Sequence, residues 1–292
     1  MQLSANGIHL EVDDRGPAAG EPLLLVMGLG MQLIAWPEGL VDALVARGFR
    51  VVRLDNRDAG LSQSFDAAGR PALWLEALRH RGGWPLRPAY TLADMADDCA
   101  GVLEALGLRS AHVWGASMGG MIAQHLAHRH PHRVRSLGLV MTSSGAPTLP
   151  GPHWRLATLL LTPPRPDDRD AAIAHLVRIH RAIGSPRWPT PPDELRRRVA
   201  TAVRRSHRPD GTARQFVAIA ADGDRSRMLP EIRCPTTVLH GEHDPLVPVA
   251  AAHDLARLIP QARLVTIDGM GHDLPEALWP RFVDEIVRGA GR

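Results

Sequence analysis

His112-Val-Trp-Gly-Ala-Ser117-Met-Gly-Gly120 is the stretch that decides the fold of this 292-residue chain. It joins an apolar, strand-like stretch, Ala111 to Trp114, to helical spacing that runs from Met118 to about Arg129. A serine between the two must turn sharply and lift its oxygen above the sheet edge, in a backbone conformation strained for a residue with a Cβ. Side chains two positions before and after it would collide in such a turn, and Gly115 and Gly119 remove both. Gly120 lets the helix pack close. The amide of Met118 then points at a developing oxyanion from the helix N-terminus.

Upstream, Ile8 to Val12 alternates like a strand, and Pro22 to Gly28 is a continuous apolar run that reads as a buried one. Pro37 to Arg47 has helical spacing and stops at Gly48, and a strand at Phe49 to Leu54 leads into the loop Asp55 to Ser62. Thr91 to Leu106 is predicted as a helix with Thr91 and Asp94 forming a capping box. Val134 to Met141 is the next strand. Downstream come strand Thr236 to His240, helix Val249 to Leu258, strand Leu264 to Ile267 and a helix from about Pro275 to Arg288. Strands alternating with helices predict an α/β fold, a mostly parallel sheet with helices on both faces.

Residues 146–232 break the alternation with clustered prolines and short helical patches. They carry 15 arginines against nine acids, a formal +6, while the rest of the chain carries −3. The expected organisation is a core from 1–145 and 233–292, interrupted by a helical cap at 146–232 after the sixth strand. Trp154 and Trp188 are candidate pocket-lining residues there. The cap arginines, such as Arg196 to Arg198, Arg204 and Arg205, read as solvated helix faces with local carboxylate partners.

A serine hydroxyl needs a base, and the base needs an orienting acid. Strand Thr236 to His240 ends in Gly241-Glu-His-Asp244-Pro, and the next strand ends in Asp268-Gly-Met-Gly-His272-Asp273. Asp244 and His272 therefore both follow the carboxyl ends of strands, where α/β sheets place their chemistry. Glu242 is a weaker candidate for the acid, and Asp268 and Asp273 are too near His272 in the chain to hold its ring easily. Asp55, Asn56 and Arg57 read as organising their own loop, with Asp58 as a residue that could face the site.

With Val26-Met-Gly-Leu29, Asp55-Asn-Arg-Asp-Ala-Gly-Leu-Ser62, Gly115-Ala-Ser-Met-Gly119, His243-Asp-Pro245 and Gly269-Met-Gly-His272, the chain resembles the α/β-hydrolase-fold superfamily over essentially its whole length. It is similar to the small bacterial carboxylesterases and to the aclacinomycin methylesterases within it. The resemblance implies Ser117 as nucleophile, His272 as base and Asp244 as acid. It also implies a second oxyanion amide from Leu29, with Gly28 as the alternative. The implied reaction is hydrolysis of a small-molecule carboxylic ester through an acyl-enzyme. Carbon–carbon hydrolases and perhydrolases share that triad, and a non-catalytic small-molecule receptor on the same fold is the reading from another class.

Composition narrows the field further. The 34 basic residues are all arginines. A chain without lysine builds no Schiff-base aldolase, PLP enzyme, Walker-A loop or protein kinase. No nucleic-acid-binding module appears, and no apolar run is long enough to span a membrane. His125, His128, His130 and His132 cluster without the H-E-x-x-H spacing of a hydrolytic zinc helix, so neither a metal nor a cofactor is expected. Cys99 and Cys234 suit reduced thiols, and the first 16 residues show no apolar signal core. A cytoplasmic monomer or homodimer is the expectation.

Overall fold

The computed structural model describes residues 1–162 and 168–292. At its centre lies β3 (Glu21–Val26), in which Leu23, Leu24, Leu25 and Val26 are wholly buried. Side chains alternate between the faces of a strand, and here each face has its own core. Leu24 and Val26 join a cluster with Val113, Ile122 and Leu126; Leu23 and Leu25 join another with Trp36, Leu40 and Phe282. A strand covered on both sides has no solvated face, which is why it reads as an unbroken apolar run. Each such side chain contributes about 1.5–3 kcal/mol through burial.

Strands β4 (Phe49–Leu54) and β5 (Ala111–Ala116) flank β3, both parallel to it. With β1 (Gln2–Ala5), β2 (Ile8–Arg15), β6 (Val134–Val140), β7 (Thr236–Gly241) and β8 (Arg263–Ile267) they form an eight-stranded sheet, ordered β1-β2-β4-β3-β5-β6-β7-β8. The β1–β2 and β2–β4 pairs are antiparallel and all the others parallel. Helices α1 (Glu38–Ala46) and α10 (Trp279–Gly289) cover one face; α3 (Leu92–Ala105), α4 (Met118–Arg129) and α9 (Ala250–Leu258) cover the other. The expected capping box opens α3. Thr91 Oγ1 accepts from the Asp94 amide at 3.1 Å, and Asp94 Oδ2 accepts from the Thr91 amide at 2.8 Å.

Two elements go beyond the sequence reading. Strand β1 pairs with β2 across Asn6-Gly7, whose φ of 49° and 75° fit a two-residue hairpin turn. The Asn-Gly pair was the available signal for it. Helix α2 (Leu73–Arg81) buries none of its residues and leaves Trp74 and Leu78 exposed, so it lacks the inward stripe that marks a helix. At the other end, α10 begins after a 3-10 turn at Glu276–Leu278, a few residues later than expected.

Between β6 and β7 stand helices α5 (Trp154–Leu161), α6 (Arg169–Ile183), α7 (Pro192–Arg205) and α8 (Pro209–Asp222). Helices α6 and α7 pack on a small cluster of their own, Ile173, Leu195, Val199 and Val203. Residues 163–167 of this insertion lie outside the described residues. The insertion meets the loops at the carboxyl ends of β3, β4, β7 and β8, and that edge is where the candidate residues gather.

Candidate active site

The chain runs from β3 to β4 on one side and later returns to β5 on the other, so the sheet order reverses at the β3–β5 pair. At such a switch point the loops leaving two neighbouring strands diverge and open a crevice. The register places Val26 beside Gly115, so the loop after β3 and the turn after β5 leave the sheet side by side.

Ser117 occupies that turn with φ 54° and ψ −121°, the strained conformation expected of it. Its backbone is fixed on both sides. The amide donates to Val140 O at 2.9 Å, and the carbonyl accepts from Thr142 Oγ1 at 2.7 Å and from the Gly120 amide at 2.9 Å. Such strain costs about 1–3 kcal/mol. A Cβ on Gly115 would run into the Gly119 carbonyl, and one on Gly119 into the Val26 carbonyl. The Ser117 side chain caps nothing, which leaves Oγ uncommitted. Met118 is the first residue of α4, so its N–H has no carbonyl one turn earlier to bond.

Gly28 backs directly onto the serine; a Cβ there would lie 3.1 Å from Ser117 Cβ and 3.6 Å from Oγ. Residues 28–31 form a turn closed by the Met31 amide on Gly28 O at 3.1 Å, with Gly30 at φ 66°. A positive φ at the third position is the type II pattern that glycine favours. Hydrogen bonds from several elements brace this loop from outside. Asn56 Nδ2 donates to Met27 O at 2.8 Å, and the Gly30 amide donates to Gln215 Oε1 at 2.8 Å. Arg205 donates to Gln32 Oε1 at 2.7 Å, and the Leu33 amide donates to Asp55 Oδ1 at 2.6 Å.

On the far side of β6, the loops after β7 and β8 bring Asp244 and His272 together. His272 Nδ1 donates to Asp244 Oδ2 at 2.6 Å, with both residues buried. The other carboxylate oxygen accepts from the Leu246 and Val247 amides at 2.9 and 2.8 Å. Burial works to raise the Asp244 pKa, but His272, His240 and the Val247 amide outweigh it and hold the carboxyl at about 2. The site thus keeps an ionised aspartate under an imidazole, the arrangement that stabilises an imidazolium. His272 is held in turn by the insertion. Its amide donates to Ile183 O at 2.7 Å, and the Gly271 amide donates to Ser185 Oγ at 2.9 Å. Burial, and then the proximity of His272, push the His180 imidazole below its usual range.

The competing carboxylates are committed elsewhere. Glu242 accepts from Thr266 Oγ1 at 2.7 Å, Asp273 from the Ser185 amide and hydroxyl, and Asp268 from Arg187 at 3.4 Å. Asp58, read as a residue that could face the site, does not. Its buried carboxylate takes two 2.8 Å bonds from Arg214, one of 2.7 Å from Tyr90 Oη and one from the Phe65 amide. The loop Asp55 to Ser62 is only partly self-contained. Asp55 Oδ2 accepts from the Leu61 amide as expected, but Asp55 and Asn56 also reach out to the β3 loop.

The insertion's arginines depart from the solvated reading in part. Arg198 does pair with Glu194 one turn away. Arg205 instead turns inward onto Asp55 at 2.7 Å, and Arg214 and Arg225 are buried against Asp58 and Asp222. Trp154 is exposed at the start of α5, beside a cleft lined by His153, Leu156, Leu159, Ala182 and Pro245. Trp188 is half-buried against the cluster that contains Met27, Met270 and Leu274. The histidine cluster separates into individual pairs: His125 with Asp222, His128 with Glu231 and His130 with Asp97. Cys99 is buried and Cys234 half-buried, both as free thiols. Among the described residues, no helix is long and apolar enough to cross a membrane.

A family model described as the alpha/beta hydrolase fold matches residues 21–276. Rhodomycin D methylesterase DauP from Streptomyces sp. (strain C5) is 30% identical, over 94% of this chain and 93% of that one. Among solved structures, an esterase from Exiguobacterium antarcticum superposes with a TM-score of 0.77 at 21% identity, covering 100% of this chain and 99% of that one. A meta-cleavage product hydrolase from Pseudomonas fluorescens IP01 gives a TM-score of 0.75 at 19% identity, over 100% and 97%. The sheet order, the elbow after β5 and the matched length agree: this chain belongs to the α/β hydrolase fold family.

Proposed function

We propose that this carboxylic ester hydrolase works through an acyl-enzyme on Ser117, with His272 as base, Asp244 as its orienting acid and the Leu29 and Met118 amides as the oxyanion hole. The observation that carries the reading is the His272–Asp244 bond of 2.6 Å at the strand edge that also bears the strained Ser117 turn. His272 takes the serine proton as Oγ attacks the carbonyl, and Asp244 stabilises the imidazolium. The tetrahedral oxyanion is met by the two amides, and the alcohol leaves with the proton from His272. Water, deprotonated by the same imidazole, then releases the acid. Gly28 holds the first oxyanion loop against Ser117 and leaves room for the reacting carbon. Among the described residues His272 bonds Asp244 but not Ser117 Oγ, and this mechanism requires the Ser117–His272 hydrogen bond to form in the substrate complex.

The 146–232 insertion acts as the cap, and the cleft of His153, Leu156, Leu159, Ala182 and Pro245 borders the acid loop where part of the substrate would lie. The similarity to a methylesterase supports a methyl ester, with its small leaving group, as the substrate class. Ser117→Ala is expected to abolish turnover of p-nitrophenyl butyrate and of methyl esters while the fold is retained. A variant that still turned over would exclude the assignment. Parallel assays of a vinylogous diketone and of monochlorodimedone bromination separate ester hydrolysis from carbon–carbon cleavage and peracid formation.

A further inference from the structure

Gln215 lies on α8, far from the triad in sequence, and its side chain is wholly buried. A buried amide is costly unless both of its ends are paired. Here both are, and both partners are backbone groups of catalytic-edge loops. Oε1 accepts from the Gly30 amide at 2.8 Å, and Nε2 donates to Arg57 O at 2.7 Å. The Gly30 N–H belongs to the middle peptide of the turn over residues 28–31. Type I and type II turns differ by a flip of that peptide. A partner fixed on its N–H therefore selects one form of the turn.

We propose that Gln215 is a positioning residue for the oxyanion loop: by anchoring the Leu29–Gly30 peptide it fixes the place of the 28–31 turn, and so of the Leu29 amide one peptide earlier, against the reacting carbonyl. The proposal rests on the reading of Leu29 as an oxyanion donor. Three further features of the same contact support it. Thr212, one turn before Gln215 on α8, lies where a Cβ on Gly30 would be, 2.8 Å from its Oγ1, so helix and turn are already in close apposition. Arg205 binds Gln32 at the next step of the loop. Gln32 Nε2 returns the contact by donating to Ala202 O at 2.7 Å and Ser206 O at 3.0 Å. The insertion is thus part of the catalytic scaffold and holds one oxyanion donor by hydrogen bonds that cross from α7 and α8 to the β3 loop.

The test compares wild type, Gln215→Leu and Gln215→Glu by steady-state kinetics on p-nitrophenyl butyrate, by the rate of fluorophosphonate labelling and by thermal unfolding. A displaced oxyanion donor acts on the transition state, so it lowers kcat more than it changes KM. Gln215→Leu should lose about 10- to 100-fold in kcat with KM within about threefold, and its labelling rate should fall in parallel. Gln215→Glu keeps an acceptor for the Gly30 amide but loses the donor to Arg57 O, so it should recover only part of that loss. A Leu variant with wild-type kcat overturns the proposal, as does a Leu variant whose Tm falls while kcat and labelling rate hold, which would mark Gln215 as packing alone. If Gln215→Leu does not fold, Gln215→Met against Gln215→Glu decides by the same criteria. Wild-type enzyme that turns over ester but takes no label at Ser117 instead refutes the acyl-enzyme reading, and the proposal with it.

Discussion

His272 Nδ1 stands 2.6 Å from Asp244 Oδ2, although the two residues are 28 positions apart and leave different strands. Parallel pairing of β7 with β8, Gly241 beside Ile267, brings both loops out at one edge of the sheet. The pair faces the β3–β5 crevice across a single strand, β6.

Asp244→Asn preserves shape but removes the negative charge and favours the wrong imidazole tautomer. It should lower kcat by about three to four orders of magnitude with little change in KM. Stability gives a second readout. The carboxyl lies at about 2 in the folded chain, below its ordinary 3.8. A depressed folded pKa means that its stabilisation is complete above the unfolded value and is lost as pH falls through the folded one. The stability gap between wild type and Asp244→Asn should therefore shrink by about 2 kcal/mol between roughly pH 5 and pH 2. A gap that denaturant titrations find constant over that range would contradict this assignment.

Arg214→Met leaves the Asp58 carboxylate buried beside Tyr90 without its counter-charge. Breaking a buried pair from one side costs about 3–5 kcal/mol, roughly 5–8 °C in Tm for a chain of this size. Removing both charges, Arg214→Met with Asp58→Asn, which tolerates the φ of 65° and keeps an acceptor for its other donors, should recover part of that loss. A Tm for the single variant within about 2 °C of wild type would show that the pair does not secure α8 to the core.

Gly28→Ala places a methyl group 3.1 Å from Ser117 Cβ. The loop must yield by a few tenths of an ångström, and the reacting geometry yields with it. A loss of about tenfold or more in kcat with Tm changed by less than about 2 °C is expected. Unchanged kcat would mean that the loop adjusts without moving the oxyanion donors.

Much of this was legible in the sequence because local geometry enforces it. The glycines around Ser117 prevent backbone collisions, the unbroken run at β3 follows from burial on both faces, and Thr91 with Asp94 satisfies a helix end. Asp244 and His272 were legible from their places just past strand ends. What stayed hidden depends on partners distant in the chain. Nothing near Asp58 announces Arg214, and nothing near Gly30 announces Gln215, since each pairing exists only once the insertion has folded over the sheet. Arg205 reads as a solvated helix residue for the same reason, because a helix pattern does not say which arginine bends inward.

The most direct test of the mechanism is to label wild-type enzyme with a fluorophosphonate and locate the adduct by peptide mass spectrometry while following residual esterase activity. One adduct per chain on Ser117, accumulating in step with loss of activity and slowed strongly in His272→Ala, is the predicted result. Esterase activity that persists in fully labelled enzyme, or is lost with the adduct on another residue, would contradict the account.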